Sequence, residues 1–188
     1  VRAFVCGEDY TYGRGAACGA AELRAFAAES GLQAEVLPLV AVGGEKAAAT
    51  RAKEYLGEGN MPALAALLGG SYFISGTVAT EGRHVGRRLG FPTANLHVSP
   101  EKVPLRVGVY AVHAEIGGRA YRGIANYGAR PTFGDARLVL ESYFDGFEGD
   151  LYGRELTVFF DFYIRPVRKF ESAEELAAQL SRDLERIR

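Results

Sequence analysis

The strongest constraint on the fold is a regular alternation of apolar and polar residues that begins near Tyr72. It runs through "YFISGTVA" and again through "VGVYAVHAEIGGRAYRGIANYG", where apolar residues recur at every second position. Because successive side chains of a strand point to opposite faces, this spacing is typical of antiparallel strands with one buried face. The pair Gly117-Gly118 separates two such runs and predicts a tight hairpin. The chain after about residue 70 is therefore expected to be rich in β-structure.

Two further strands and a terminal helix follow. "RLVLESYF" is one strand, and "LTVFFDFYIR" is another, in which we expect one face to be shared by Leu156, Val158, Phe160, Phe162 and Ile164. Ser172 and Glu175 have the spacing of a capping box. The helix that they open would present an apolar stripe made of Leu176, Leu180, Leu184 and Ile187. About five strands with one helix indicate a small antiparallel barrel.

The first third of the chain has a mixed α/β pattern. "VRAFVCG" and "LQAEVLPLV" are short strand candidates. Helices are predicted at about Ala20 to Ser30, Lys46 to Leu56 and Met61 to Leu68. Asn60 is the expected N-cap of the third helix, and Gly69-Gly70 would end it. Since the sequence opens without an initiating Met, we expect a truncated chain.

Composition excludes several classes of function. The 188 residues are 48% hydrophobic and 24% charged, which is ordinary for a globular protein. The net charge of −1 gives no electrostatic footprint for nucleic acid. No apolar run approaches the ~20 residues that a membrane span needs. The two cysteines have no metal-type spacing, so we expect a reduced, cytoplasmic protein.

The stretch "GRHVGRRLGFPTAN" is the first candidate for chemistry. Gly82, Gly86 and Gly90 are four residues apart and are interleaved with arginines, yet the stretch matches neither a P-loop nor a dinucleotide fingerprint. One interpretation is two strands joined by a glycine-rich loop. The other is an anion cradle, in which backbone N–H groups approach phosphate oxygens and arginines supply charge. On composition alone both interpretations stay open, and the simple loop is favoured.

Polar residues on two predicted strands are the second candidate. Thr93 and Asn95 are two residues apart, which puts both on one face of a strand as neutral oxygen ligands for Mg²⁺. Glu141 lies in the middle of a strand, where glutamate is disfavoured. It is either part of a solvated outer face or a general base for a hydroxyl. Asn126 opens "NYGARPTF", which a simple turn would also explain.

These motifs together resemble the riboflavin kinases. The resemblance runs in order through "GRHVGRRLGFPTANL", "GVYAV", "NYGARPTF", "LES", "DLYG", "IRPVRKF" and "AQLSRD", and covers Leu68 to Arg188. Upstream, "GEDYTYGRG" and "TRAKEYLGEGNMPALAALLGG" resemble the end of the adenylyltransferase domain of bacterial bifunctional FAD synthetases. The resemblance implies a mainly β fold, a six-stranded antiparallel Greek-key barrel with a C-terminal helix. A partial α/β, Rossmann-like nucleotidyltransferase fragment would precede it, with domains at 1–66 and 67–188.

The resemblance also implies an activity and a site. The activity is that of a kinase that uses ATP and Mg²⁺ to convert riboflavin to FMN, with ADP as the second product. Glu141 would take the proton from the ribityl 5′-hydroxyl, and Thr93 and Asn95 would hold Mg²⁺. Nucleotide and flavin contacts would come from Gly82, Arg83, Gly86, Arg87, Gly90, Phe91, Pro92 and Asn126. The resemblance leaves the oligomeric state open.

Departures from the family pattern bear on a second activity. The N-terminal His-x-Gly-His of bacterial relatives is absent, and Ala48 and Ala49 replace the two serines of their Ile-Ser-Ser-Thr-x-x-Arg motif. We therefore expect FMN but not FAD as product, and a kinase domain that does not need the residues before about Leu67. The alternatives are part of a bifunctional FAD synthetase and a flavin-binding module without catalysis. Retention of Thr93, Asn95 and Glu141 argues against the binding module.

Overall fold

The computed structural model describes residues 1–80, 93–129 and 138–188 and divides the chain into two compact units, Val1–Ala48 and Ala49–Arg188. The first unit contains β1 (Ala3–Gly7), β2 (Thr11–Tyr12), a 3₁₀ turn (Arg14–Ala16), β3 (Cys18–Gly19), α1 (Ala20–Glu29), β4 (Gln33–Leu37), β5 (Ala41–Val42) and β6 (Glu45–Lys46). β1 and β4 pair in parallel, and α1 connects them in the chain. This is the strand–helix–strand arrangement of an α/β fold. Its origin in a nucleotidyltransferase domain stays a prediction.

The second unit is a barrel flanked by helices. Its elements are α2 (Ala49–Glu58), α3 (Met61–Leu68), β7 (Phe73–Thr77), β8 (Ala94–His97), β9 (Gly108–Ile116), β10 (Arg119–Ala129), β11 (Leu138–Phe144), β12 (Glu155–Arg165) and α4 (Ala173–Glu185). In the described residues, six strands form one antiparallel sheet in the order β7-β12-β9-β10-β11-β8. β9 and β10 lie between β11 and β12, which are consecutive in the chain, as a Greek key requires.

The sheet curls into a nearly closed barrel because its two edge strands approach each other. The N–H of Ala79, just after β7, donates to the carbonyl of Asn95 in β8 at 2.8 Å. Closure leaves little of either edge unpaired. The hairpin between β9 and β10 turns through Gly117 and Gly118, with φ of 61° and 78°. Such positive φ angles favour glycine and confirm the predicted tight turn. The expected six-stranded antiparallel barrel with a C-terminal helix is thus confirmed.

The structure corrects the alternation that was expected along β12. Phe160 pairs with Val112 and Phe162 pairs with Ala111, so Asp161 is an extra residue that forms a bulge. Leu156, Val158 and Phe160 point into the barrel core, whereas Phe162 and Ile164 belong to a second apolar cluster. The prediction that all five side chains share one face is therefore wrong, because the inserted residue shifts the register and moves Phe162 and Ile164 to the second cluster.

The second cluster lies between the barrel and α4. Leu184 and Ile187 pack there with Val109, Ala111, Ile124 and Ile164. Asp183, only 1% exposed, accepts hydrogen bonds from Arg165 Nε at 2.9 Å and Arg165 Nη2 at 2.7 Å. The hydroxyl of Ser172 accepts from the N–H of Glu175 at 3.2 Å, which confirms the predicted N-cap. An apolar contact, an ion pair and a cap together fix α4 on the outer face of the sheet.

The helices before the barrel are built into its core. Leu56 of α2 and Met61 and Leu64 of α3 are buried in the same cluster as the inward side chains of the strands. Leu56 also accepts a backbone hydrogen bond from the N–H of Arg106 at 2.9 Å. This packing conflicts with the expectation that the barrel does not need the residues before Leu67. The boundary expected after residue 66 stays a prediction, while the compact unit begins at Ala49.

The ends of these helices follow local sequence signals. α3 begins and ends at the predicted residues, with Asn60 Oδ1 accepting the N–H of Ala63 at 3.3 Å and Gly69 in the left-handed region at φ 72°. α2 starts three residues later than the predicted Lys46, because Glu45–Lys46 pairs with Ala41–Val42 as a short hairpin. Among the residues described, no helix is long and apolar enough to cross a membrane.

Candidate active site

The core of the candidate site is a row of polar residues across three adjacent strands. Asn95 of β8 pairs with Glu141 of β11, and Glu141 pairs with Asn126 of β10. Residues directly opposite each other on antiparallel strands point to the same face, so the three side chains are neighbours. The flanking Leu140 and Ser142 are fully buried in the barrel, which places the row on the outer face of the sheet.

Thr93 extends this row just before the start of β8. Its Oγ1 donates a hydrogen bond to Glu141 Oε1 at 2.8 Å. Thr93 precedes Asn95 by two residues and is half-buried, whereas Asn95 is 5% exposed and Asn126 is exposed. The structure thus brings Thr93, Asn95 and Glu141 together, with Asn126 on the opposite side of Glu141. Their roles in metal binding and proton transfer remain predictions.

The donor set of the row suits a hard cation that arrives with phosphate. Mg²⁺ takes oxygen ligands and is usually held by few protein groups together with substrate phosphates. The hydroxyl of Thr93 and the amide oxygen of Asn95 are neutral, and the Glu141 carboxylate is next to them. The residues present therefore fit Mg²⁺ when a triphosphate supplies the remaining oxygens and most of the negative charge.

Glu141 presents its carboxylate to a neighbouring hydroxyl. It already accepts a hydrogen bond from the Thr93 hydroxyl at 2.8 Å, within the range that proton transfer requires. The side chain is half-buried on β11, which is paired with a strand on each side. This placement holds its carboxylate better than a loop would. The predicted role in proton transfer would account for a glutamate in the middle of a β-strand, where packing alone disfavours it.

A cavity of about 440 Å³ opens beside Thr93. One wall is the end of β11, with Tyr143 and Phe144, and the turn that follows it, with the aromatic side chains of Phe147 and Tyr152. Val78 and Ala94 contribute the apolar floor. Phe147 is fixed by an edge-to-face contact with Tyr121 at 5.3 Å between ring centroids. The lining also includes Glu148 and Asp150, so the cavity combines aromatic and apolar side chains with polar groups, which suits a planar ring that carries polar groups.

Sequence reasoning missed the residues of this cavity. The resemblance includes "DLYG", but Tyr143, Phe147 and Tyr152 were not assigned to the site. A usable signal was the density of aromatic and glycine residues in "ESYFDGFEGDLYG". Burial raises the pKa of Tyr143, and the nearby charge of Asp145 raises it further. Tyr143 therefore remains a neutral phenol near neutral pH.

Seven of the predicted binding residues lie outside the described residues: Gly82, Arg83, Gly86, Arg87, Gly90, Phe91 and Pro92. They directly precede Thr93 in the chain. Their expected contacts with ATP remain predictions.

The chain is similar to known proteins over the region that carries these motifs. The family model described as "Flavokinase: Riboflavin kinase" matches residues 68–188. A bifunctional riboflavin kinase/FMN adenylyltransferase of Pseudomonas fluorescens is 36% identical over 155 residues, which is 82% of this chain and 49% of that protein. The protein of the same name in Escherichia coli K12 is 34% identical over 184 residues, 97% of this chain and 58% of that protein. The chain thus spans about half the length of the curated relatives that it matches.

One solved structure shows the same fold at nearly full coverage. It is titled as a macrolide-efflux protein from Streptococcus pneumoniae and aligns with a TM-score of 0.82 and 30% sequence identity. The alignment covers 98% of this chain and 59% of that one. The macrolide-efflux name belongs to that protein alone, whereas the likeness in fold covers residues of both units of this chain.

Proposed function

The chain belongs to the riboflavin kinase family, and we propose that it transfers the γ-phosphate of ATP to the ribityl 5′-hydroxyl of riboflavin, giving FMN and ADP. The observation that carries this proposal is the hydrogen bond from Thr93 to Glu141 within the row that also holds Asn95 and Asn126. This hydrogen bond joins Thr93, the candidate ligand on the phosphate side of the site, to Glu141, the candidate general base. A phosphotransfer between a nucleotide and a hydroxyl needs this combination.

The positions of the cavity and the row suggest which substrate binds where. Thr93 lines the cavity, while Glu141 and Asn126 do not. We assign the cavity to the nucleoside part of ATP, whose phosphates would then reach Thr93 and Asn95. Riboflavin would approach from the Asn126 side, so that its 5′-hydroxyl meets Glu141. Glu141 would lie between the two substrates, as an in-line transfer requires.

Little covalent chemistry is required of the protein in this reaction. Glu141 would orient the 5′-hydroxyl and accept its proton as the bond to phosphorus forms. Thr93 and Asn95 would hold Mg²⁺ together with ATP oxygens, and a bound Mg²⁺ neutralises the charge on those oxygens. The rigid strands supply the orientation, which is the main part of the rate enhancement in such transfers.

A second candidate activity is the adenylylation of FMN to FAD. It is favoured by the names of the relatives and by their alignment with up to 97% of this chain. Against it, Ala48 and Ala49 provide no hydroxyl where the resemblance expects two serines. Adenylyl transfer also needs the triphosphate to be held, and methyl groups cannot donate to it. We therefore propose FMN as the product. We also propose that the chain acts in the cytoplasm, as the family resemblance implies for an enzyme that uses ATP and riboflavin.

The test of the role of Glu141 is its replacement by glutamine, which keeps size and shape but cannot accept a proton. We expect turnover to fall by roughly two to four powers of ten, the range for loss of general-base assistance. Binding of riboflavin and of ADP should stay close to wild type.

Glu115→Gln is the matched control for this variant, because Glu115 is an exposed glutamate in β9 outside the row. Its turnover should equal that of the wild type. If Glu141→Gln turns over as fast as Glu115→Gln, Glu141 is only part of a solvated face.

A further inference from the structure

The turn after β11 forms one wall of the cavity and is hydrogen-bonded to Arg188. Asp145, the first residue of this turn, accepts two hydrogen bonds from Arg188: Nε to Oδ2 at 2.9 Å and Nη2 to Oδ1 at 3.0 Å. The next residues, Gly146 and Phe147, line the cavity. A guanidinium that makes two parallel bonds to one carboxylate fixes orientation as well as distance.

The backbone that carries Arg188 is itself fixed on the barrel. Ile187 is buried against the outer face of the sheet, and its carbonyl accepts a hydrogen bond from Arg122 Nη1 at 3.2 Å. The carbonyl of Arg122 in turn accepts the N–H of Asp145 at 2.8 Å. Arg122 therefore contacts both Ile187, which precedes Arg188, and the start of the turn. The hydrogen bonds from Arg188 also keep the pKa of Asp145 below its ordinary value, so the carboxylate is charged near neutral pH.

We propose that Arg188 is a positioning residue for nucleotide binding, acting through Asp145 on the turn that walls the cavity. The proposal rests on the assignment of that cavity to ATP. Without the two hydrogen bonds, the turn would sample other arrangements and would have to be ordered when the nucleotide binds. Ordering at that moment weakens binding, whereas a turn held in advance does not incur this cost.

The size of the effect follows from the exposure of the pair. The side chain of Arg188 is 62% exposed and that of Asp145 is 29% exposed, so solvent screens their attraction. An exposed pair with good two-point geometry changes an equilibrium by about three- to fivefold. Arg188→Ala should therefore raise the Kd for Mg·ADP and the KM for ATP by about that factor. The KM for riboflavin and kcat should not change, because the row around Glu141 is left intact.

The experiment is calorimetric titration of the full chain with Mg·ADP, together with steady-state kinetics. Arg188→Ala, Asp145→Asn and the double variant are compared with the wild type. Since both single changes remove the same contact, the double variant should be no weaker than either one. Arg188→Lys, which cannot make two parallel bonds, should be intermediate. Arg168→Ala is the matched control, since Arg168 makes an exposed ion pair with Glu175 at 2.7 Å and does not line the cavity.

Three outcomes would overturn the proposal: an Arg188→Ala variant that binds Mg·ADP as tightly as Arg168→Ala, additive losses in the double variant, or a rise in the KM for riboflavin instead of ATP. Failure of the proposed function gives a different result. In that case the wild type forms no FMN from riboflavin and ATP, whatever its affinity for Mg·ADP. If Arg188→Ala folds poorly, Asp145→Asn alone, a nearly isosteric change, still decides the question.

Discussion

Replacing Leu64 by alanine tests whether α3 is part of the core of the barrel. Leu64 is 0% exposed and lies in the cluster formed by the inward side chains of the strands. Removing three buried carbons there loses transfer free energy and leaves a cavity, at a cost of about 2–5 kcal/mol in the free energy of unfolding. For a domain of this size, each kcal/mol shifts Tm by roughly 3 °C, so we expect a fall of about 6–15 °C.

The same helix provides the control. Leu68 is 54% exposed at the end of α3, so Leu68→Ala should change the free energy of unfolding by about 0.5 kcal/mol or less. Urea unfolding followed by circular dichroism, with a thermal melt of the same samples, measures both variants. The reasoning is refuted if Leu64→Ala is as mild as Leu68→Ala, because α3 would then be an appendage and not a layer of the core.

Two other changes separate the chemistry of the site from the stability of the fold. Thr93→Val keeps the β-branched shape but removes the hydroxyl that donates to Glu141, so Mg²⁺-dependent binding of ATP should weaken while the melting temperature is retained. Thr157→Val, which removes a hydroxyl bonded to Ser75, is its control, and equal ATP binding by the two would count against Thr93 as a ligand. Asp183→Asn should lower the free energy of unfolding by about 3–5 kcal/mol, because it leaves the Arg165 guanidinium poorly paired under α4. Chemical denaturation checks this, and a loss no larger than that of Glu175→Gln, in the exposed pair with Arg168, would contradict it.

Local signals in the sequence predict most of the second unit. The alternation predicts the long strands of the barrel, Gly117-Gly118 predicts the hairpin, and Ser172 predicts the start of α4. Each of these depends only on residues close together in the chain. The meeting of Thr93 with Glu141 could also be expected, but only through the family resemblance, because their contact depends on the pairing of β8 with β11.

The features that could not be predicted from the sequence depend on strand register and on packing between residues far apart in the chain. The bulge at Asp161 has no local signal, yet it moves Phe162 and Ile164 from the expected inner face to the cluster under α4. The burial of Leu64 depends on strands far along the chain, so the α3 pattern alone could not assign it to the barrel. The cavity likewise forms only when the turn after β11 approaches Val78 and Thr93.

The most direct test of the account is the product of the reaction. The chain is incubated with riboflavin, ATP and Mg²⁺, and the flavins are separated by chromatography. We predict that FMN forms together with ADP, that Glu141→Gln abolishes most of it, and that no FAD appears even at long times and high enzyme concentration. Absence of FMN from the folded wild-type chain would contradict the proposed kinase, and FAD appearing as FMN is consumed would contradict the restriction to a single activity.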